Sequence, residues 1–450
     1  MDSNITPKKR GSFSGKIGFV LAAAGSAVGL GNIWRFPYLA AEYGGGIFLL
    51  VYLILAVTFG FALMSAEIMI GRKTGLSAIG AFKKLDKRFS FVGILASLVP
   101  VLVLPYYCVI GGWVVKYFTA FVSGNMGKAA MDGYFGDFRA DTFQSMLFFA
   151  IFLGITSIIV LFGVEKGIEK TSKFLMPVLV TIIIGLSIYI MFQDGAMEGV
   201  IYYIKPDFSK FSFKTVLAAM GQLFYSMSLA MGIMITYGSY MKKEVSVESS
   251  VHQIEIFDTG VAFFAGLMII PAVFTMGGVE NLNAGPGLMF VTLPKVFDKM
   301  PGGAVIGAIF FVLVFFAALT SSVSLMETVV SILRDKFGIK RIASCLTVLG
   351  ISLALGTLSA LSTGLLADVK PFGKDFLDFF DYICNNILMP ITALLTCILV
   401  GYIIKPKKLL EEAETHGNKF KAKKLFTVVI KYIAPICIIL IFISSIFGIV

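Results

Sequence analysis

The chain alternates long apolar stretches with short polar segments along almost its whole length. A helix needs roughly 20 mostly apolar residues to cross a bilayer. The stretches that meet this length are numbered here as spans 1 to 11, at 14–38, 44–71, 90–122, 142–161, 167–192, 214–240, 252–277, 304–334, 343–366, 375–403 and 426–449. The pattern predicts an all-α polytopic membrane protein with eleven transmembrane helices, organised as a single domain over 1–450.

Two of these spans contain residues that weaken a membrane helix. Span 1 contains GSAVGLGN at 25–32, and span 6 contains GQLFYSMSLAMG at 221–232. In membrane proteins built from two inverted halves, interrupted helices meet near the middle of the bilayer. We therefore predict that helices 1 and 6 are discontinuous. The same spacing predicts two inverted five-helix repeats, at 14–192 and 214–403, with 426–449 as an extra span.

Composition and charge support a membrane protein and predict its orientation. The chain is 57% hydrophobic and 14% charged, with a formal net charge of +11. The Lys and Arg residues concentrate in segments on the side of the N-terminus, and segments rich in these residues face the cytoplasm. We expect a multi-pass protein of the plasma membrane with its N-terminus in the cytoplasm and its C-terminus outside. The distribution of Lys and Arg follows the membrane topology, so the net positive charge does not indicate a nucleic-acid partner. We expect the lipid bilayer as a partner and no nucleic acid.

The remaining sequence signals narrow the class of protein. All 5 cysteines lie within spans and none forms a CxxC pair, so we expect neither a disulfide framework nor a zinc site. A cleaved signal peptide is the weaker interpretation of the basic start, because the apolar stretch continues to Pro37. Residues 281–297, NLNAGPGLMFVTLPKVF, either fold back as a short lid or form a simple surface loop.

Several polar side chains fall at membrane depth. Asn32 adjoins the first interruption, Ser226 and Ser228 lie in the second, and Asp258 lies in span 7. Span 8 adds three consecutive hydroxyls at 320–322. A carboxylate inside the membrane indicates a functional site, and oxygen ligands without Cys or His favour a hard cation such as sodium. Small and hydroxyl residues also serve helix packing, so packing stays open as an alternative.

These segments resemble the neurotransmitter:sodium symporter family. The resemblance is carried by GSAVGLGNIWRFPY at 25–38, EYGGGIF at 42–48, GQLFYSMSLAMGIMITYGSY at 221–240 and FFAALTSS at 315–322. Matching segments occur in order over nearly the whole chain. The eleven-span form is similar to bacterial members that transport hydrophobic and aromatic amino acids. The resemblance implies the leucine-transporter fold, the bacterial inner membrane, and two sodium ions bound with a neutral amino-acid substrate.

The resemblance also implies two sodium sites. The first would use Ala27, Asn32, Ser226 and Asp258. The second would use Gly25, Val28, Ala317, Thr320 and Ser321. The register of Asp258 depends on an ungapped step from span 6 into span 7. Many relatives have Asn at this position, and chloride-dependent ones bind an anion nearby. Since an acid supplies the negative charge here, we predict chloride independence.

The substrate pocket implied by the resemblance combines backbone amides with an apolar lining. It would be formed by Ala27, Leu30, Gly31, Val103, Tyr107, Tyr225, Ser226, Ser228, Met231, Ser321 and Leu325. Tyr107 and the amides of Leu30 and Gly31 would bind the substrate carboxylate. The apolar side chains favour a hydrophobic or aromatic amino acid.

The resemblance further implies two gates and a hinge. Arg35 with Asp381 resembles an outer ion-pair gate, and Arg10 with Asp335 an inner one. Phe13 stands where relatives often have tryptophan at the inner gate. In span 5, Gly167 and Pro177 have the spacing of a family motif associated with local unwinding. Without the resemblance, the gate residues could simply be charged side chains that reach water at the ends of spans. Gly167 and Pro177 could likewise mark an ordinary helix kink.

Together these expectations describe a sodium-driven amino-acid symporter that works by alternating access and is not an enzyme. An intramembrane enzyme is disfavoured because His252 and His416 lie at the span edges and the sequence has no HExxH or GxSxG motif. A channel, or a member of the same fold that acts as a receptor or scaffold, remains an alternative to a transporter.

Overall fold

The computed structural model describes residues 11–278 and 285–448, and within those ranges the chain is helical with no β-strand. Nine helices there are long and apolar enough to cross a membrane. They match nine predicted spans and run Gly46–Thr74, Lys87–Val122, Thr142–Leu161, Val164–Met191, Val247–Phe274, Gly303–Phe337, Arg341–Ala360, Phe376–Ile403 and Lys423–Phe447. The all-α polytopic class is therefore confirmed.

Span 1 is broken, as predicted. It consists of two half-helices, Lys16–Ala27 and Gly31–Glu42, which meet at an angle of 55°. Val28 leaves the helical conformation at φ −70° and ψ 107°. The Asn32 side chain, in the first turn of the second half-helix, accepts a hydrogen bond from the Gly29 amide at 2.9 Å and so ties the break to that half-helix. Gly29 also permits close packing, because a Cβ there would lie 2.7 Å from Ser321 Oγ and 2.9 Å from Tyr107 Oη.

Span 6 is the second discontinuous helix, with half-helices Phe213–Ser226 and Ile233–Gly238. Between them Ser228 has φ 53° and Ala230 has φ 60°, a region that side-chain-bearing residues occupy only at a cost of about 1–3 kcal/mol each. Two contacts hold this segment. The Ala230 amide donates to Glu67 Oε1 at 2.6 Å, and Ser228 Oγ donates to the Ser26 carbonyl at 3.0 Å. The total of eleven spans depends on including this pair and stays a prediction, as do the two inverted repeats.

The broken helices are enclosed by long, continuous ones. The half-helix Lys16–Ala27 packs against spans 5, 7 and 8, and span 3 packs against spans 4, 8 and 9. The helix boundaries differ from the predicted ones by a few residues; span 7, for example, begins at Val247 rather than at 252. Shorter helices lie between spans, among them Ala78–Leu85, Tyr134–Ala140, Ala196–Ile204, Leu293–Lys299 and Pro406–Ala413.

The segment after span 7 folds back onto the helices. Of residues 281–297, those up to 284 lie outside the described part, but 288–297 are helical and mostly buried. Phe290 is fully buried and packs against Trp34, Trp113 and Tyr117. Tyr117 Oη donates to the Phe290 carbonyl at 2.7 Å. The lid, rather than the surface loop, is therefore the arrangement observed.

Candidate functional site

A small cavity of about 30 Å³ lies where the two helix breaks meet. Every residue predicted for the substrate pocket lines it. These are Ala27, Leu30, Gly31, Val103, Tyr107, Tyr225, Ser226, Ser228, Met231, Ser321 and Leu325. The breaks therefore bring spans 1, 3, 6 and 8 to one point.

The cavity also contains residues that the sequence did not single out. Ser26, Gly29, Ile233 and Ser324 belong to its lining. Ser26 Oγ and Ser324 Oγ share a hydrogen bond of 2.7 Å. Ser324 lies one turn after Ser321 on span 8, so helical periodicity was the signal that could have identified it. Ser26 lies inside the glycine-rich stretch, whose composition indicates a role for the backbone rather than for a side chain.

One end of the cavity carries donors suited to an anionic group. The half-helix Gly31–Glu42 begins here, and helix N-termini present free amides and a partial positive charge. Tyr107 Oη accepts a hydrogen bond from the Leu30 amide at 3.2 Å, which leaves its own proton available to donate. Gln222 Nε2 donates to the Gly31 carbonyl at 2.9 Å and so fixes the start of this half-helix against span 6.

The predicted first sodium site forms a compact cluster around Asp258, which is 0% exposed. Asp258 Oδ1 accepts hydrogen bonds from Asn32 Nδ2 at 2.7 Å and from Ser226 Oγ at 2.8 Å. Tyr52 Oη donates to Oδ2 at 3.3 Å. The structure thus brings together Asn32, Ser226 and Asp258. Ala27, the fourth predicted residue, lines the adjoining cavity. Tyr52 of span 2 was not predicted, because a buried tyrosine in an apolar span looks like packing.

The predicted second sodium site is an uncharged group of oxygens between spans 1 and 8. Ser321 Oγ lies 3.5 Å from the Gly25 carbonyl oxygen and 3.2 Å from that of Val28. Thr320 Oγ1 lies 3.1 Å from the carbonyl oxygen of Ala317. All five residues are buried. Carbonyl and hydroxyl oxygens are the ligands that a hard cation prefers, and the break in span 1 is what frees the first two carbonyls.

The predicted outer gate is only partly assembled. The Arg35 guanidinium stacks over the Tyr225 ring, with Cζ 5.2 Å from the ring centroid. Asp381 accepts hydrogen bonds from Tyr106 Oη at 3.0 Å and Asn385 Nδ2 at 2.7 Å. Within the part of the chain that the structure describes, Arg35 and Asp381 make no direct ion pair. The two charges therefore hold aromatic and amide partners instead of each other.

On the opposite side, Asp335 accepts a hydrogen bond from the Ser77 amide at 2.8 Å. Its predicted partner, Arg10, lies outside the described residues. Phe13 is buried and packs edge-on against Tyr237 and Tyr240, at ring distances of 5.5 Å and 6.1 Å. Phe13 therefore belongs to a buried aromatic cluster.

The predicted hinge in span 5 begins with a π-helical turn, Val164–Glu169, which contains Gly167. Pro177 lies inside the continuous helix that follows. Glu169 accepts hydrogen bonds from the amide of Ser14, at 2.8 Å, and from its hydroxyl, and pairs with Lys173 at 2.6 Å. Span 5 is thus tied directly to the segment that precedes span 1.

Two interrupted helices that meet at a buried, oxygen-rich cavity in a polytopic bundle define the class of protein, an α-helical membrane transporter. The model of the sodium:neurotransmitter symporter family matches residues 10–133 and 141–449. The chain belongs to that family.

Relatives and solved structures agree with this assignment. The chain is 35% identical to an uncharacterized sodium-dependent transporter, YhdH, of Bacillus subtilis, over 98% of this chain and 99% of that protein. It is 32% identical to an uncharacterized sodium-dependent transporter, MJ1319, of Methanocaldococcus jannaschii, over 93% and 86%. The crystal structure of MhsT in complex with L-phenylalanine is similar to it, with a TM-score of 0.88 and 37% identity over 97% of this chain and 100% of that chain.

Proposed function

We propose that this protein is a symporter that uses the sodium gradient to import a hydrophobic or aromatic L-amino acid by alternating access. Two sodium ions accompany each substrate, and chloride is not required. The observation that carries the proposal is the buried cluster of Asp258, Asn32 and Ser226 beside a cavity formed by both helix breaks. Membership of a sodium symporter family supports the same conclusion.

The first sodium ion and the substrate share one environment. Ala27, Asn32 and Ser226 line the cavity, and two of them contact Asp258. The substrate carboxylate, held by Tyr107 and the amides of Leu30 and Gly31, completes the shell of that ion. Because each ligand places a favourable charge next to the other, each raises the affinity for the other by the same factor. Asp258 supplies the fixed negative charge, and this is the basis for chloride independence.

The second sodium ion couples span 1 to span 8. Gly25 and Val28 belong to one, and Ala317, Thr320 and Ser321 to the other. Because this group carries no formal charge, it holds the ion less tightly than the first group does. Span 5 packs against the same half-helix. Loosening of span 5 at its π-helical turn would open a water path to the ion from the cytoplasm.

The lining of the cavity supports the substrate class. Val103, Tyr225, Met231, Ile233 and Leu325 present apolar surface around the polar end. Met can repack around side chains of different shapes. The MhsT structure contains L-phenylalanine, which supports an aromatic or comparably large apolar amino acid.

The gates close the cavity alternately toward the two sides of the membrane. We propose that the protein lies in the bacterial inner membrane with its N-terminus in the cytoplasm. Arg35, Tyr225 and Asp381 then close the cavity toward the outside, while Phe13 and the pair Arg10–Asp335 close it toward the cytoplasm. No covalent bond of the substrate changes, so the cycle needs no catalytic residue.

Uptake by the purified protein in liposomes tests the proposal. With an inward sodium gradient, labelled L-phenylalanine should accumulate with saturation, and replacing external sodium by potassium should abolish it. Replacing chloride by gluconate should leave the rate unchanged. Current without saturable uptake would instead identify a channel. Binding of the amino acid without uptake would identify a receptor, and either result would overturn the proposal.

A further inference from the structure

The connection between spans 5 and 6 exposes several large apolar side chains. Phe192 is 82% exposed, Phe208 is 71% exposed and Ile201 is 55% exposed. Further exposed apolar side chains of this connection are Met197, Ile204, Phe211 and Phe213. Contiguous apolar surface of this kind marks an interaction site rather than ordinary surface.

The helix Ala196–Ile204 within this connection has two distinct faces. Gly199, Val200 and Tyr203 are buried, and the helix packs against span 7. Met197, Ile201 and Ile204 are exposed and lie four and three residues apart, so they form one stripe on the other face. Phe192 follows the end of span 5 and Phe213 begins span 6. The stripe therefore lies at the boundary of the membrane, where aromatic residues anchor proteins.

Lysines surround the same surface. Lys205, Lys210 and Lys214 are exposed within ten residues of sequence, and Lys210 Nζ lies 4.7 Å from the ring centroid of Tyr202. Lys205 and Lys210 line an open cavity of about 410 Å³, together with the apolar side chains of Ile201 and Phe208. Asp207 also lines it and accepts hydrogen bonds from the amide and hydroxyl of Ser209, at 3.0 Å and 2.6 Å. Its negative charge offsets one of the two lysine charges, which leaves one net positive charge at the cavity.

We propose that this cavity binds an anionic phospholipid of the adjacent leaflet, with its phosphate between Lys205 and Lys210 and an acyl chain along Ile201 and Phe208. The charge of the lysines matches a phosphate, and their position beside an apolar stripe matches a lipid rather than a free ion. A zwitterionic lipid offers the same acyl chains but no net charge to complement the lysines.

This lipid would contact the moving part of the transporter. Tyr202 Oη donates to the Ala41 carbonyl at 2.6 Å, in the half-helix Gly31–Glu42 that carries Arg35. Gly45, just after that half-helix, pairs with Pro206 as an isolated antiparallel bridge. A bound lipid therefore stabilises the connection that supports the outer gate. Lipid binding needs neither sodium nor an amino acid, so it can be measured separately from the proposed transport function.

Native mass spectrometry of the full-length protein in neutral detergent tests it. Phosphatidylglycerol and phosphatidylcholine with the same acyl chains are titrated separately, and inorganic phosphate is added as a competitor. Phosphatidylglycerol should bind more tightly than phosphatidylcholine. The variant Lys205→Gln/Lys210→Gln should lose about fivefold in affinity for each lysine. The variant Lys205→Arg/Lys210→Arg should keep the affinity, and inorganic phosphate should compete only weakly.

The matched control is Lys128→Gln/Lys299→Gln, which removes two other exposed lysines from connections on the same side. It should bind phosphatidylglycerol as the unaltered protein does. Equal binding by the Lys205→Gln/Lys210→Gln variant and the unaltered protein would overturn the proposal. Equal losses in both pairs would also overturn it, because the attraction would then come from net charge alone. Full competition by inorganic phosphate would also overturn it, because the site would then bind a free anion rather than a lipid.

Discussion

Replacing Asp258 by asparagine removes one charge from the proposed first sodium site and little else. The two side chains have nearly the same size and shape. The amide oxygen of asparagine can still accept the hydrogen bonds that Asp258 receives from Asn32 and Ser226 at 2.7 Å and 2.8 Å. Asp258→Asn therefore isolates the electrostatic contribution to sodium binding.

The size of the effect follows from the distance and the surroundings. Two unit charges ~4 Å apart interact by about 4 kcal/mol at an effective dielectric constant of ~20. Asp258 is fully buried, so water does not weaken this interaction directly. The cost of desolvating the carboxylate and the remaining dipole of the amide oxygen offset part of it. We expect the sodium affinity to fall by a factor between about 10 and 1000.

Sodium is titrated in the presence of saturating phenylalanine. The rise in melting temperature that phenylalanine produces reports substrate binding at each sodium concentration. Glu255→Gln is the matched control. Glu255 is also a buried carboxylate on span 7, one turn before Asp258, and it contacts His252 Nδ1 at 3.2 Å instead of the cavity. The control should change the sodium midpoint much less than Asp258→Asn does.

A sodium midpoint that is unchanged in Asp258→Asn, together with an unchanged response to chloride, would refute the assignment of this residue. Equal shifts in Asp258→Asn and Glu255→Gln would refute it as well. In that case the charge would act at long range through the membrane helix, and contact with the ion would not be needed to explain the effect.

Three further substitutions test the other parts of the site. Ser321→Ala should weaken the second sodium site by about fivefold, the value of one ordinary hydrogen-bonding group, measured as the sodium dependence of uptake. Tyr107→Phe should raise the substrate dissociation constant roughly tenfold, because the hydroxyl that would donate to the substrate carboxylate is lost; unchanged phenylalanine binding would contradict this. Glu169→Gln should loosen the contact with Ser14 and speed hydrogen exchange at residues 13–20, whereas equal exchange in both proteins would show that this contact does not hold the inner side closed.

Much of this architecture could be predicted because the membrane imposes it. A helix that crosses lipid must be apolar over a fixed length, so hydropathy placed the nine continuous spans within a few residues of their observed ends. A break must contain residues that tolerate irregular backbone, so glycines pointed to spans 1 and 6. The composition of the pocket came from the resemblance to a family, which assigns residues by position rather than by physical reasoning.

The details of the breaks could not be predicted from glycine alone. Gly221, the first glycine of the span 6 stretch, lies inside the half-helix Phe213–Ser226. Ser228 and Ala230 are among the residues with left-handed backbone conformations. Serine and alanine rarely adopt this conformation, so the sequence does not indicate it. Their conformation is supported from outside the segment, since Glu67 of span 2 binds the Ala230 amide. Contacts between distant spans of this kind leave no local pattern in the sequence.

Contacts between distant segments also determine which substitution can test the hinge in span 5. The sequence points to Gly167→Ala, but a methyl group at Gly167 would collide with the backbone carbonyl of Ile159. Slower transport by the Gly167→Ala variant would therefore have two explanations. The collision could displace the end of the helix, or the substitution could block local unwinding of span 5. Glu169 lies in the same π-helical turn, and its side chain reaches Ser14. Glutamine has the length of glutamate and leaves the backbone unchanged, so Glu169→Gln causes no collision. It weakens the contact between span 5 and Ser14. A change in hydrogen exchange at residues 13–20 can then be attributed to the hinge.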